Sequence, residues 1–277
     1  MAPRSLMHLS FTIACGVGVA SLLLAPGGAD AGSRRAGRHG QFECRDEGGD
    51  DRYERHCEIR EMTVASGRIE VDAAPNGGIE VRGEKRSDVS LRAKVVAQAD
   101  TIEEARALAA EVRIETSGVI RATGPESRRH RHYWVSYELV VPEAAEMRLE
   151  TMNGGIALED VKGSVEFKTV NGGVTIDRAA GSLRGRTTNG GVNVSLDGAS
   201  WQGEGLDVET TNGGVRLTVP AAYNARLVTG TVNGGLEVDF PVTVQGKINR
   251  RLDVTLGRGG PTVRATTTNG GVVISSR

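Results

Sequence analysis

One triplet, Asn-Gly-Gly, recurs seven times along the 277-residue chain and constrains its fold more than any other feature. Because Asn and Gly tolerate positive φ, the triplet is typical of a tight reversal or corner. A turn repeated along a chain predicts a repeated architecture. The triplets begin at Asn76, Asn153, Asn171, Asn189, Asn212, Asn233 and Asn269.

The residues around the last six triplets repeat as well. A Thr lies two residues before each Asn, and apolar residues lie six before it and three and five after it. Apolar residues at even spacing on each side of a turn are the period-2 signature of strands. Each unit therefore predicts a strand, an Asn-Gly-Gly corner and a second strand. The threonines are Thr151, Thr169, Thr187, Thr210, Thr231 and Thr267.

Two all-β folds fit such units. One is an antiparallel meander, since Asn-Gly is also a strong hairpin signal. The other is a β-solenoid, in which each unit forms one coil stacked on the last. We favour the solenoid because stacking places equivalent residues over one another and so favours a fixed Thr and Asn at every corner. Few aromatic residues occur between Met147 and Arg277, which suits a narrow coil interior filled by Val, Ile and Leu.

The spacing of the triplets predicts which coils lie first and last in the stack. Successive corners from Asn153 onward lie 18, 18, 23, 21 and 36 residues apart. Because 36 is twice 18, we expect a coil without its triplet around Gly246 to Gly257. The coil ending at Arg277 would then be the last of the stack, and its open edge predicts oligomerisation or a partner. Asn76 lacks the preceding Thr and is assigned to an opening coil.

The first residues, 1–31, resemble a signal peptide with cleavage after Ala31. Arg4 precedes an apolar stretch that ends before a small-x-small site at Ala29-Asp30-Ala31. The alternatives are an uncleaved anchor or a lipid attached at Cys15. The chain is therefore expected to be exported, to the periplasm or the cell surface, without a membrane span after cleavage.

Residues 32–60 are predicted to hold a flexible tail and a hairpin closed by a disulfide between Cys44 and Cys57. An even number of cysteines after cleavage favours a disulfide in an exported protein. Free thiols are the main alternative. The acidic residues between the two cysteines lack calcium-loop spacing, so we interpret them as a solvated loop.

Residues 61–142 are predicted to form strands and one capping helix, and residues 143–277 the repeat. The helix is expected over Thr101 to Val112, with Asp100 and Glu103 as a capping box. This region would cover one end of the stack.

The Thr-x-Asn-Gly-Gly-Val-x-Val units, the Cys57 to Glu61 start and the single Glu-Ala-Arg-rich helix resemble the bacterial putative-adhesin family of β-strand repeats. That family has no assigned function and is related to adhesin-head-like domains of envelope proteins. The resemblance covers about Cys44 to Arg277. It implies a right-handed β-solenoid and brings no catalytic residue to carry over.

Motifs for catalysis, metals and cofactors are not found in the sequence. The Asp residues that follow the corners, Asp160, Asp177, Asp197 and Asp239, fall at different offsets, where Asp is expected as a turn former. His130 and His132 lack a third ligand nearby. No cofactor or metal is therefore predicted. The 34 basic and 35 acidic side chains give a net charge of −1, which gives no basis for nucleic-acid binding.

A basic run ending in two aromatics is the best candidate for binding. It comprises Arg128, Arg129, His130, Arg131, His132, Tyr133 and Trp134. Such a patch could hold an anionic lipid, an acidic glycan or another acidic surface. The alternative is a loop whose Tyr133 and Trp134 begin a core strand.

These observations predict a non-catalytic exported protein of the cell envelope that acts as an adhesin-like interaction or scaffold module. A polysaccharide-degrading β-helix enzyme and a regulatory partner of an envelope stress system remain as alternatives.

Overall fold

The computed structural model describes residues 42–44, 52–239 and 250–277, which all lie in one compact unit, His39–Arg277. The signal peptide, its cleavage site and Cys15 lie outside the described residues. So do the tail before Gln41, most of the acidic loop, and much of the segment for which a coil without a triplet was predicted.

The described residues form an all-β protein with one helix, α1, at Ile102–Glu111. The strands are β1 Glu54–Val64, β2 Ile69–Asp72, β3 Ile79–Glu84, β4 Val89–Ala99, β5 Arg113–Glu115, β6 Val119–Thr123, β7 His132–Pro142, β8 Glu146–Glu150, β9 Ile156–Glu159, β10 Ser164–Asn171, β11 Val174–Asp177, β12 Ser182–Asn189, β13 Val192–Ser195, β14 Gly205–Asn212, β15 Val215–Val219, β16 Ala225–Asn233, β17 Leu236–Asp239, β18 Arg251–Leu256, β19 Thr262–Asn269 and β20 Val272–Ser276.

The strands build two ten-stranded sheets. Sheet 1 has the order β1-β4-β7-β3-β9-β11-β13-β15-β20-β17, and sheet 2 has the order β18-β16-β19-β14-β12-β10-β8-β2-β6-β5. Each repeat unit gives the strand before its corner to sheet 2 and the strand after it to sheet 1. Equivalent residues of neighbouring units pair in parallel, such as Thr169 with Thr187 and Val174 with Val192. The repeats therefore do not form the antiparallel meander.

The core lies between the sheets and follows the period-2 pattern. Along β10, Val165 and Phe167 are buried, whereas Glu166 and Lys168 are exposed. The apolar residues on both sides of every corner join one continuous cluster. The narrow interior is thus filled mainly by Val, Ile and Leu, and each inward row continues from coil to coil.

The stacking order differs from the chain order at one end. The coil of β19 and β20 lies between the coil of β14 and β15 and the coil of β16 and β17. The prediction that the coil ending at Arg277 is the exposed end of the stack is wrong, and with it the basis for an oligomer through that coil. Because the units carry near-identical corners, a coil can dock on any other, and sequence order does not fix spatial order.

No parallel coil follows β17 within the described residues. β18 instead runs antiparallel to β16, pairing Arg251 with Gly230 and Leu256 with Ala225, and forms the edge of sheet 2. The expectation of a coil without a triplet is wrong for this part of the segment, because a strand of opposite direction cannot continue a parallel stack.

The N-terminal strands extend both sheets at the other end. β2, the Asn76 corner and β3 form an opening coil, and Asn76 pairs with Asn153 of the next coil. β1, β4 and β7 add an antiparallel layer to sheet 1, and β5 and β6 add a hairpin to sheet 2.

Helix α1 buries Ala105, Leu108 and Ala109 and packs against β1 and β4. Its N-cap is Thr101, whose side chain accepts a hydrogen bond from the Glu104 backbone N–H at 3.2 Å. The capping pair is therefore Thr101 with Glu104, one residue later than predicted. At the other end, the guanidinium of Arg60 donates to the carbonyl oxygens of Ala109 and Val112, which a helix leaves unsatisfied.

A disulfide joins Cys44 to Cys57 on β1. It holds the segment 42–44 against the outer face of sheet 1, where Phe42 is buried and lies under the guanidinium of Arg92. The disulfide thus fixes a short N-terminal segment over strands that would otherwise face solvent.

Candidate functional site

The predicted basic patch divides into a turn and a strand. Arg128 and Arg131 exchange backbone hydrogen bonds and close a turn that carries Arg129 and His130. Arg128 and Arg129 are exposed and pair with no carboxylate among the described residues. The tip of the turn therefore presents two free cations to solvent.

The other members of the turn have partners. The guanidinium of Arg131 binds Glu111 at the end of α1 at 2.7 Å, and the imidazole of His130 stacks on Tyr53 with ring centroids 4.9 Å apart. These contacts fix the turn against α1 and the residues before β1. They also reduce the number of cations that are free to bind a ligand.

His132, Tyr133 and Trp134 lie on β7. Because side chains alternate along a strand, they project from opposite faces of sheet 1. His132 and Trp134 stack on the outer face of sheet 1 with ring centroids 5.8 Å apart, and Arg55 lies 5.6 Å from the Trp134 ring. Burial, followed by the nearby Arg55 charge, lowers the pKa of His132. Tyr133 instead packs against the core. The alternative interpretation therefore holds for Tyr133, whereas Trp134 is part of the surface.

A second charged surface lies on the outer face of sheet 2. One row of side chains crosses the strands of this face, and the charge of these side chains alternates between negative and positive from one strand to the next. Neighbouring strands lie about 4.8 Å apart. Strand pairing places these side chains in the order Glu70, Arg148, Glu166, Arg184, Asp207 and Arg264. A second row, two residues further along each strand, contains Glu150, Lys168, Arg186 and Glu209.

Between the two rows runs a shallow groove of about 380 Å³. Arg148 pairs with Glu150 at 2.7 Å and with Glu166 at 3.8 Å at one end. In the middle, Lys168, Arg184 and Arg186 are exposed and pair with no carboxylate of the described chain. We call these three residues the groove cations. Sequence reasoning missed them, although aligning the repeat units places Lys168 beside Arg186.

Carboxylates converge at the second corner of the coils, contrary to what their unequal offsets predicted. Arg178 binds Glu159, Asp160 and Asp177, and the bond to Asp160 measures 2.9 Å from Nε. Hydrogen bonding to Asp160 is the main cause that raises the pKa of Arg178, so this guanidinium stays charged. The three carboxylates therefore share one cationic partner at the centre of this corner.

The Asn-Gly-Gly corners form a continuous hydrogen-bonded ladder. The side-chain amide of every corner Asn except Asn76 donates to the Oδ1 of the Asn in the adjacent coil, at 2.7–2.8 Å. In five of the six units the Thr two residues earlier donates to the carbonyl oxygen of the first corner Gly in the adjacent coil, as Thr187 does to Gly172 at 2.7 Å. Thr231 instead donates to the carbonyl oxygen of Thr268 at 3.5 Å. The corners of adjacent coils thus bind to one another through their Asn and Thr side chains.

Positive φ does not explain these corners in general, because among the described triplet glycines it occurs only at Gly270. Apart from glycines, the described residues with positive φ are Asp160 and Arg178, and both lie at the second corner. The first Gly of a triplet is required for a different reason. At Gly154, Gly172, Gly190 and Gly213, a Cβ atom would lie 1.9–2.1 Å from a carbonyl oxygen of the adjacent coil.

Comparison with known protein families assigns most of the chain to one family. The family description Toastrack DUF4097 matches residues 85–275. The chain belongs to the Toastrack DUF4097 family. This confirms the resemblance to bacterial adhesin-like proteins of unknown function. A search of curated proteins found no match.

Solved structures similar to this Toastrack chain share little sequence with it. A putative cell adhesion protein from Clostridium sporogenes ATCC 15579 is 12% identical, with 81% of this chain and 100% of that chain covered and a TM-score of 0.40. A putative adhesin from Bacteroides fragilis NCTC 9343 is 11% identical, with coverages of 79% and 97% and a TM-score of 0.31. A putative lipid binding protein from Parabacteroides distasonis ATCC 8503 is 10% identical, with coverages of 79% and 96% and a TM-score of 0.33.

The described part of the Toastrack chain meets neither the requirements of a metal-binding cluster nor those of a membrane-spanning helix. Its His, Cys, Asp and Glu side chains form no group of three that could hold a metal ion, and His130 and His132 contact aromatic rings. None of the helical structure in residues 42–44, 52–239 and 250–277 is long and apolar enough to cross a membrane.

Proposed function

We propose that this Toastrack protein is an exported, non-catalytic module of the cell envelope that binds an anionic partner in the manner of an adhesin or scaffold. Its repeat region would be a right-handed β-solenoid. The parallel pairing of equivalent residues in successive coils supports the solenoid, and the signal-peptide pattern of residues 1–31 supports export to the periplasm or cell surface.

The groove cations are the observation that carries this proposal. Lys168, Arg184 and Arg186 project from neighbouring strands of one rigid sheet, which fixes their mutual spacing without a partner. Arg and Lys that are held in this way suit phosphate, sulfate or carboxylate groups. A long, regular face with free cations is an interaction surface that needs no bond-breaking chemistry.

The acidic residues on the same face limit what this surface accepts. Glu150 and Glu166 lie on one side of the groove cations, and Asp207 and Glu209 lie on the other. A flexible polyanion lying along the stack would meet these carboxylates. The surface therefore favours partners whose anionic groups are spaced apart, such as an acidic glycan or a mixed lipid surface, over nucleic acid.

The predicted basic patch is proposed as a second contact of the same kind. Arg128 and Arg129 are free at the tip of the turn, and the exposed part of Trp134 lies on the adjacent strand. The cation and aromatic side chains together suit a lipid or glycan surface.

The enzyme alternative rests on the carboxylates around Arg178. Glu159, Asp160 and Asp177 come close together, as carboxylates of a glycosidase must, but their shared partner is a cation. We propose that Arg178 stabilises the second corner, where both it and Asp160 have positive φ, a conformation that costs energy for a residue with a side chain.

The proposal is tested with the mature chain and two triple variants. Binding to acidic polysaccharides and to vesicles with and without anionic lipid is measured at low and high salt. Lys168→Gln/Arg184→Gln/Arg186→Gln tests the groove, and Arg128→Ala/Arg129→Ala/Arg131→Ala tests the turn. Arg226→Gln is the control, because Arg226 is an exposed cation on sheet 2 that pairs with Asp253.

We expect salt-sensitive binding that the groove variant weakens and Arg226→Gln leaves unchanged, because screening weakens exposed charge pairs. Loss in the turn variant alone would assign binding to the patch. Absence of binding by the wild type to every anionic surface would refute the proposal. Polysaccharide hydrolysis that Glu159→Gln or Asp177→Asn abolishes would show that the protein is an enzyme.

A further inference from the structure

The Asn ladder has two ends, and they differ chemically. Asparagine followed by glycine can undergo spontaneous deamidation. The backbone nitrogen of the Gly attacks the side-chain carbonyl carbon of the Asn, a C–N bond forms, and ammonia leaves. Water then opens the resulting succinimide ring to give aspartate or isoaspartate. All seven corners meet the sequence requirement, so the fold decides which of them react.

At Asn189, Asn212 and Asn269 both reacting groups are held in place, and at Asn153 and Asn171 the side chain is held by both neighbours. The side chain of Asn189 donates to Asn171 and accepts from Asn212, at 2.7 and 2.8 Å. The backbone N–H of Gly190 donates to the carbonyl oxygen of Asn212 at 3.0 Å. Attack would require both groups to leave these bonds and approach each other. Local opening of a packed coil is therefore needed before the reaction can begin.

The same restraints apply at the next two positions of the stack. The side chains of Asn212 and Asn269 each donate to one neighbour and accept from another. The N–H of Gly213 donates to Asn269, and the N–H of Gly270 donates to Asn233. These two corners are restrained in the same way as Asn189.

Asn233 lies at the end of the ladder and lacks these restraints. Its amide donates to Asn269 at 2.8 Å, but its Oδ1 accepts from no described residue. The N–H of Gly234 likewise has no hydrogen-bond acceptor within the described chain. Asn233, Gly234 and Gly235 are all exposed, and Val232 before them is 50% exposed.

The opposite end of the ladder is closed. Asn76 also lacks one of its two side-chain bonds, since it accepts from Asn153 and donates to no described residue. However, Gly77 is buried, whereas Gly234 at the other end is exposed. Burial of Gly77 restricts the backbone rotation that would bring its nitrogen to the Asn76 side chain.

We propose that Asn233 is the deamidation site of the folded protein and that the other described corners are protected by the ladder. The product carries a carboxylate, which cannot donate to Oδ1 of Asn269. The last hydrogen bond of the ladder is then lost, and a negative charge appears at the exposed coil. Isoaspartate would in addition lengthen the backbone where β16 meets its corner.

The test is a time course of the folded mature chain in mildly alkaline buffer, with peptide mapping for isoaspartate and aspartate at each corner. We expect modification at Asn233 to be at least about tenfold faster than at Asn189, Asn212 or Asn269, because those corners must first open. In denaturant the rates should become similar. Faster reaction at an interior corner, or equal rates in the folded chain, would overturn the proposal.

A variant makes the mechanism itself testable. Asn212→Ala removes the donor to Asn189 and leaves the Asn189-Gly190 pair in the chain. We expect deamidation at Asn189 to rise in this variant while the rate at Asn233 stays unchanged. An unchanged rate at Asn189 would show that the ladder does not protect the corners. Neither readout depends on a binding partner.

Discussion

Gly190 lies over Gly172 of the preceding coil, and the carbonyl oxygen of Gly172 occupies the space in which a Cβ atom of residue 190 would lie, 2.1 Å away. The second glycine of the same triplet is different, because a Cβ on Gly191 would lie 3.4 Å from the nearest oxygen, that of Gly214. The two glycines of one corner therefore have different functions in the stack.

Gly190→Ala is expected to destabilise the protein by about 3 kcal/mol, since backbone must shift to remove the overlap. Gly191→Ala serves as the matched control and should change stability by less than about 1 kcal/mol, because its Cβ makes an ordinary contact. Gly190→Val should be worse than Gly190→Ala for the same steric reason. Denaturant unfolding measures the differences, and equal effects at the two glycines would contradict this assignment.

The Asn ladder predicts a smaller effect from Asn189→Ala. This change removes one donated and one accepted hydrogen bond on an exposed corner, and we expect a loss of about 1 kcal/mol. Thr188→Ala is the control, because Thr188 is an exposed neighbour on the same corner, and it should cost less than about 0.5 kcal/mol. If the two variants unfold at the same denaturant concentration, the ladder contributes little to stability.

Much of the fold could be predicted from residues that repeat. The period-2 apolar positions around Asn171 and Asn189 gave the strands, the corners and the parallel stacking, because identical residues at a corner are useful only when they lie over one another. The helix was predicted to within one residue at each end, because Leu108 and the apolar residues at helical spacing around it define a single buried face.

The similarity of the repeat units also explains why other features were not predicted. The position of the coil of β19 could not be predicted, because its corner at Asn269 fits on Asn212 as well as on Asn233. The convergence of Glu159 and Asp177 on Arg178 depends on coils that are adjacent in space, and unequal offsets along the chain concealed it. The groove cations could have been found by aligning repeat units and comparing outward residues, since Lys168 and Arg186 occupy the same position in successive coils.

Phe167 and Gly185 form a size-complementary pair across β10 and β12. The buried ring of Phe167 occupies the space where a Cβ on Gly185 would lie, with ring atoms 2.2 Å away. Gly185→Ala should therefore cost about 1–3 kcal/mol by overpacking. Adding Phe167→Leu should recover part of that loss, so the double variant should be more stable than the sum of the single variants predicts. Additive effects in denaturant unfolding would contradict direct contact between the two sites.

Tyr223 predicts how stability falls in alkali. Burial, together with the charge of Asp197, raises the pKa of Tyr223 to about 12 in the folded protein, whereas an unfolded chain titrates near 10. Between about pH 10 and 12 the unfolded chain has released a proton that the folded chain retains, so the free energy of unfolding decreases as pH rises. Below that window the contribution of Tyr223 is fully present.

Tyr223→Phe removes this titration and keeps the ring in the core, so stability should fall less steeply with pH in the variant than in the wild type. Denaturant midpoints measured across the window compare the two proteins. Tyr133 and Tyr137, whose pKa values burial also raises, are retained in both proteins and contribute to the slope that remains. Parallel pH profiles for wild type and Tyr223→Phe would show that Tyr223 ionises equally in the folded and unfolded chains.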